Sequence, residues 1–288
     1  MTTRTRLPIV VGIDGSSGSM EALRWAASAA ARCRAPLHLV CAIDLPGDVD
    51  LGPTAPAYDD HALRADAATF LSTARDLAGR HADGLEITCS VADPRPETVL
   101  IGYSKDARMI VVGARGLGAV GHGILGSVST SLARHAHCPV AVIPTSDTGP
   151  AGLPGRPIVV GVDGSACGAE AIEIAFDEAS RRAAGIVAVT AWSELSPHGS
   201  RAAMQARTRT LQAQSLAGRA EWYPDVPVTH VVVEDRPARR ILDEADRAQL
   251  VVVGSHGRGG FAGMTLGSVG QAVLHGAPVP LIVTRPRD

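Results

Sequence analysis

A chain of 288 residues suits about two domains of ordinary size, and 45% hydrophobic content supplies apolar surface for two cores. A net charge of −2 excludes a broad basic field for nucleic acid, and the apolar runs are strand-length, so no membrane span is expected. The five cysteines, Cys33, Cys41, Cys89, Cys138 and Cys167, are odd in number and form no Cys-x-x-Cys pair. That argues against a metal site or a disulfide framework and for a reducing, cytoplasmic compartment.

The elements read in chain order as alternating strands and helices. Residues 9–13 form a β-branched run ending at Asp14-Gly15, the first strand. Residues 17–34 are alanine-rich, with Met20, Leu23, Ala27 and Ala30 on one face and a serine at the cap position. Residues 36–43 are the second strand and 59–81 a long helix, with Leu63, Phe70 and Leu77 at heptad spacing. Strand three covers 85–91, a short helix 96–105, strand four 109–113, the fourth helix 127–137 and strand five 139–143. The second half repeats this order, with strands at 158–162, 186–191, 226–233, 250–253 and 280–283.

The repetition is specific. Ile9-Val-Val-Gly-Ile-Asp14-Gly-Ser16 recurs as Ile158-Val-Val-Gly-Val-Asp163-Gly-Ser165. Gly113-Ala-Arg-Gly116, nine residues and Gly126-Ser127 recur as Gly254-Ser-His-Gly257, nine residues and Gly267-Ser268. The second copy is shorter between these landmarks, and its shortening falls where the first half carries the stretch 45–61. The period is too long for a solenoid and suits tandem domains, 1–147 and 155–288, joined by a Pro- and Gly-rich linker. Each half is expected to be an α/β domain with an open, doubly wound parallel sheet covered on both faces. Ligands in such sheets sit beyond the strand carboxyl ends, at the switch in strand order. Asp14 and Gly113 then face one crevice, and Asp163 and Gly254 another.

A strand, a glycine-rich loop and a Ser-started helix make an anion cradle, so the duplication points to two nucleotide- or phosphate-binding units. In the first, Gly113, Gly116 and Gly126 let the backbone approach a ligand, with Ala114 and Arg115 between them. Ser127, Val128 and Ser129 form the first helical turn, where orphan amides and the two hydroxyls can meet phosphate. The second set is Gly254, Ser255, His256, Gly257, Gly267, Ser268, Val269 and Gly270, which loses one hydroxyl because Gly270 stands in the place of Ser129. Arg115 aligns with His256, so a cationic or polar phosphate contact is available in both halves. Asp14, after Gly12 and Ile13, and Asp163, after Gly161 and Val162, can polarise a ribose or adenine group or hold Mg2+ through water. The alternative is a turn with a helix cap and no more.

Other chemistries fit less well. Gly116-Leu-Gly118-Ala-Val-Gly121 imitates a dinucleotide fingerprint, yet the loop runs on to Gly126 and no acidic residue ends the following strand. A Walker loop needs a lysine, and the only lysine, Lys105, is elsewhere. His135 and His137 suit a helix C-terminus and have no counterparts in the second half. His122 and His256 have no partner marking a general base, and Ser16 and Ser165 have no aligned His–Asp pair. Tyr58, Trp192 and Trp222 read as packing or lid residues.

The Gly-x2-Gly-x9-Gly-Ser spacing, the strand end Gly-Ile-Asp14-Gly-Ser16 and the tail His135-Ala-His-Cys-Pro139-Val-Ala-Val resemble the universal stress protein family, in both halves. The resemblance implies an adenine nucleotide α-hydrolase-like fold with strand order 3-2-1-4-5. It implies ATP at each motif, two per chain. Asp14 and Asp163 would contact the nucleoside, Ala42 and Ala191 would meet adenine through backbone, and the glycine loops would hold ribose and phosphates. It also implies association through strand five, giving an internal pseudo-dimer of the halves or a homodimer, and links to dormancy, hypoxia and stress survival. The expectation is a cytoplasmic, nucleotide-dependent regulator. A slow ATP hydrolase, an adenylate-transferring enzyme on the same fold and a chaperone-like protein using the 45–61 stretch remain as rivals.

Overall fold

The structure, a computed structural model, describes residues 6–43, 60–82, 84–116, 125–145, 153–192, 200–258 and 265–285. The chain divides into two units, Met1–Thr145 and Ser146–Asp288. The 45–61 stretch lies outside the described residues except for its last two, which open a helix; Tyr58, Gly118, Gly121 and His122 also lie outside.

In the first unit the strands are β1 (Ile9–Gly12), β2 (Leu37–Ala42), β3 (Ile87–Ala92), β4 (Met109–Gly113) and β5 (Val140–Ile143). They run β3-β2-β1-β4-β5 with every neighbouring pair parallel, the 3-2-1-4-5 order. The helices are α1 (Ser17–Cys33), α2 (Asp60–His81), α3 (Pro96–Tyr103) and α4 (Ser127–His135). A parallel strand with helices on both faces has no wet side, which explains the unbroken apolar runs. Val11, Ile110, Val111 and Ala141 are all 0% exposed. Each buried valine or isoleucine side chain among them contributes about 1.5–3 kcal/mol. On α1 the inward face is mostly alanine, with Ala22, Ala26, Ala27 and Ala30 fully buried around Leu23. Small side chains let α1 come close to the sheet: a Cβ on Gly113 would stand 2.7 Å from the Gly18 carbonyl carbon. Ser16 fixes where α1 starts, accepting a hydrogen bond from the Ser19 amide at 3.1 Å.

The second unit repeats the pattern. Its strands are β6 (Ile158–Gly161), β7 (Ile186–Trp192), β8 (Val228–Glu234), β9 (Leu250–Gly254) and β10 (Leu281–Thr284), ordered β8-β7-β6-β9-β10 and all parallel. The helices are α5 (Ala166–Arg182), α6 (Arg201–Leu216), α7 (Arg219–Trp222), α8 (Pro237–Ala245) and α9 (Ser268–Gly276). The single-turn α7 has no counterpart in the sequence reading. Gly218, left-handed at φ 77°, ends the α6 segment and restarts the chain as α7, and Pro224 follows. Trp222 on α7 is 81% exposed, so of the packing and lid readings the packing one does not hold for it. Packing there comes from the next residue: the Tyr223 ring lies 5.5 Å from Phe176. No helix among the described residues is long and apolar enough to cross a membrane.

In each unit the order reverses between the strand that opens it and the strand carrying the glycine loop, β1 beside β4 and β6 beside β9. The crevice this leaves lies beyond the strand carboxyl ends.

Candidate functional site

The first crevice is a cavity of about 600 Å³. Asp14 stands at its floor, two residues past the end of β1. Its Oδ1 accepts from the Ser16 amide at 3.0 Å and from the Ser16 hydroxyl at 2.6 Å. The Asp-Gly-Ser segment is therefore a turn with a helix cap, and the same bonds fix a carboxylate at the cavity wall. On the facing side, the Ala114 amide donates to the Ile143 carbonyl at 2.7 Å, and the Ala114 carbonyl accepts from Gly126 at 2.8 Å. These bonds close the loop and set the direction of α4.

The two helix starts differ in a way that matters. Ser16 caps α1, whereas α4 begins at Gly126 with no side-chain cap. The first-turn amides of an uncapped helix are donors with a partial positive charge. Residues Ser127, Val128 and Ser129 of that turn line the same cavity as Asp14.

The second crevice repeats this geometry in about 330 Å³. Asp163 Oδ1 accepts from the Ser165 amide at 2.9 Å and its hydroxyl at 2.7 Å, while Ser165 caps α5 by accepting from Gly168 at 3.0 Å. The Ser255 amide bonds Thr284 at 2.8 Å and its carbonyl takes the Gly267 amide at 2.7 Å. α9 starts at Gly267, also without a side-chain cap. Ser255, 1% exposed, hydrogen-bonds the His256 ring at 3.0 Å.

The structure gathers the sequence-predicted residues around these two cavities. Gly12, Ile13, Asp14 and Ala42 line the first with Gly113, Arg115, Gly116 and Gly126. Gly161, Val162, Asp163 and Ala191 line the second with the whole set from Gly254 to Gly257 and from Gly267 to Gly270. Ala114 is the exception: it braces the loop and lies outside the lining.

Two side-chain placements add to the sequence reading. The loop glycines that line the cavity also make room for the protein itself. The missing Cβ of Gly113 faces α1, that of Gly116 faces the Asp14 carboxylate, and that of Gly126 would stand 3.3 Å from the Ala114 carbonyl oxygen. The Ser129 hydroxyl, read as a phosphate donor, turns into the loop, with Gly126 O at 2.9 Å and Ala114 O at 3.2 Å. At the matching Gly270 a Cβ would stand 3.0 Å from Leu266 Cδ1, so the smaller residue lets Leu266 fold inward, 6% exposed.

Sequence reasoning missed the apolar wall. Pro96 and Leu100 of α3, with Val40, close the first cavity; Pro237 and Ile241 of α8, with Val189, close the second. The signal was an i, i+4 pair whose first member is the helix-opening proline, Pro96 with Leu100 and Pro237 with Ile241. Arg258 at the second cavity was also missed. Near the first cavity, burial and the Asp14 charge push the Cys41 thiol up to about 11. Among the described residues, no group of three or more His, Cys, Asp or Glu is placed to hold a metal ion.

Comparison with known proteins gives consistent findings. The model of the Universal stress protein family matches residues 6–144 and 155–285. A universal stress protein of Mycobacterium tuberculosis is 42% identical over 287 residues, covering 96% of each chain. Another from the same organism is 43% identical over 290 residues, covering 97% of this chain and 96% of its own. Among solved structures, a universal stress protein from Archaeoglobus fulgidus matches with TM-score 0.69 at 19% identity, covering 98% of each chain. That likeness concerns the fold alone.

Proposed function

The chain belongs to the universal stress protein family, with one such domain in each half, and from that premise we propose that each half binds one adenine nucleotide, ATP by preference. The observation that carries this is the pairing, in both crevices, of an uncapped helix start with a fixed carboxylate in the lining of one cavity. A cavity of about 600 Å³ and one of about 330 Å³ lie within the usual range for small-molecule sites, roughly 300–1,000 Å³. Helix-start amides with Ser127 or Ser268 beside them suit phosphate oxygens. Asp14 and Asp163 are acceptors for ribose hydroxyls, or outer ligands to Mg2+ through water. The strand ends at Ala42 and Ala191 offer backbone to a base edge, and Pro96 with Leu100, or Pro237 with Ile241, offers an apolar wall to its face.

A bound nucleotide supplies a polyanion whose differential affinity for two conformations shifts their populations. The protein acts on this reading as a cytoplasmic regulator of stress response or dormancy. The rival reading is a slow ATP hydrolase. Against it, Asp14 Oδ1 and Asp163 Oδ1 each accept two bonds from the following serine, which holds them as acceptors rather than as bases poised over water. Steady-state phosphate release with Mg2+, beside the Asp14→Ala, Asp163→Ala double variant, tests this. The expected turnover lies far below the roughly 1–100 s⁻¹ of kinases. Turnover of about one per second that vanishes in the double variant makes the protein an enzyme.

A further inference from the structure

Gly15 and Gly164 occupy the same place in the two halves, directly after the strand-end aspartate. Both are left-handed, with φ of 82° and 75°. What covers them differs. Over Gly15 lies the ring of Phe70 from α2: a Cβ there would stand 2.8 Å from Cε1 and 2.9 Å from Cζ. Over Gly164 lies the guanidinium of Arg258: a Cβ there would stand 2.6 Å from Nη2 and 3.2 Å from Cζ and Nε. Arg258 follows Gly257 directly in the glycine loop, and it lines the second cavity. At its position the first half has Leu117, and at the position of Arg115 the second half has His256. The permanent cation of the loop thus stands before the second loop glycine in one half and after it in the other.

We propose that Arg258 sets ligand selectivity in the second crevice, making it choose phosphorylated nucleosides over bare ones. The proposal rests on the nucleotide reading above and names the residue that decides which nucleotide the second site keeps. A guanidinium stays charged at every accessible pH and presents a planar fork of donors that matches two phosphate oxygens at once. It has no acceptor, so it adds nothing to recognition of a neutral nucleoside. Its seat on Gly164, a position where a side chain would collide with it, already places the guanidinium at the cavity before any ligand arrives. That lowers the ordering cost that a free arginine would bring to binding. The cavity it serves is the smaller of the two, about 330 against about 600 Å³, so a ligand there is held closer to its wall.

The test uses the full chain carrying Gly116→Glu, which leaves the second site as the remaining one, titrated calorimetrically with ATP and with adenosine. Arg258→Leu should weaken ATP about tenfold, the size of a charge-assisted hydrogen bond, and leave adenosine within about twofold. Arg258→Lys should recover part of the ATP affinity, because the charge returns without the fork. ATP affinity unchanged in Arg258→Leu, or ATP and adenosine weakened by the same factor, overturns the assignment and leaves the nucleotide reading standing. A Gly116→Glu parent that binds no ATP at all removes the second site itself, and the proposal falls with it.

Discussion

Asp163 and Gly257 meet across the second crevice: a Cβ on Gly257 would stand 2.7 Å from Asp163 Oδ2, and Gly116 stands against Asp14 in the same way. The loop glycine and the strand-end carboxylate are one unit, since only a residue without a side chain leaves the carboxylate where the Asp-Gly-Ser turn puts it. The neighbour is the end of a flexible side chain, so a substitution displaces the carboxylate without disturbing the sheet. Gly257→Ala should weaken nucleotide binding at the second site, and Gly257→Glu should abolish it by setting a second carboxylate beside phosphate. Thermal melts should show a loss below about 1 kcal/mol for either, as for most exposed positions. ATP titration beside the melts decides: normal binding by Gly257→Glu removes the loop from the site.

Ser127 and Ser129 should separate under mutation. Ser129 is 1% exposed and its hydroxyl serves the Gly126 and Ala114 carbonyls. Ser129→Ala should cost about 0.5–1.5 kcal/mol of stability and leave nucleotide affinity nearly unchanged. Ser127 is exposed on the first turn, and Ser127→Ala should do the reverse. Urea unfolding and ATP titration on both variants check this; a loss of affinity in Ser129→Ala without loss of stability contradicts the inward hydroxyl.

α5 ends on a strained residue. Ala183 is left-handed at φ 49°, its amide bonded back to the Ala179 and Ser180 carbonyls. That conformation costs a residue with a Cβ roughly 1–2 kcal/mol, of which the greater unfolded-state freedom of glycine offsets up to about 1 kcal/mol. Ala183→Gly should therefore raise stability by about 0.5–1 kcal/mol. The urea midpoint should rise at constant slope; a lower midpoint shows that the cap is unstrained.

Cys41 gives the protein an alkaline sensitivity. Its folded thiol is pushed up to about 11, mainly by burial and further by Asp14, from an ordinary value of 9.0. Between pH 9.0 and about 11 the unfolded chain releases this proton and the folded chain keeps it, so stability falls as pH rises through that window. Cys41→Ala should flatten that part of the decline in a denaturation series across pH. Identical alkaline slopes for both proteins contradict the shift.

The alternation of strands and helices and the strand ends that carry the crevice were legible in the sequence because both rest on local signals, whereas the strand order came from the family resemblance alone. Short β-branched runs such as Ile9–Gly12, bounded by turn residues, read as buried strands, and the Asp-Gly-Ser and glycine-loop signatures mark strand ends. The illegible parts depend on contacts between distant segments. Which way the Ser129 hydroxyl turns depends on the Ala114 carbonyl. That Arg258 lies on Gly164, and Phe70 on Gly15, depends on how three separate segments converge. Pro96 and Leu100 look like core in any periodic reading, and the open crevice beside them appears only when α3 is seen crossing the ends of β1 and β2.

The most direct test of the central claim is to saturate the purified full chain with ATP, remove free ligand, denature the protein and quantify released nucleotide by mass spectrometry. One crevice of strand-end aspartate and glycine loop in each of the two units predicts a value approaching two adenine nucleotides per chain. Release of none, or preferential retention of GTP or NAD from an equimolar mixture, contradicts it.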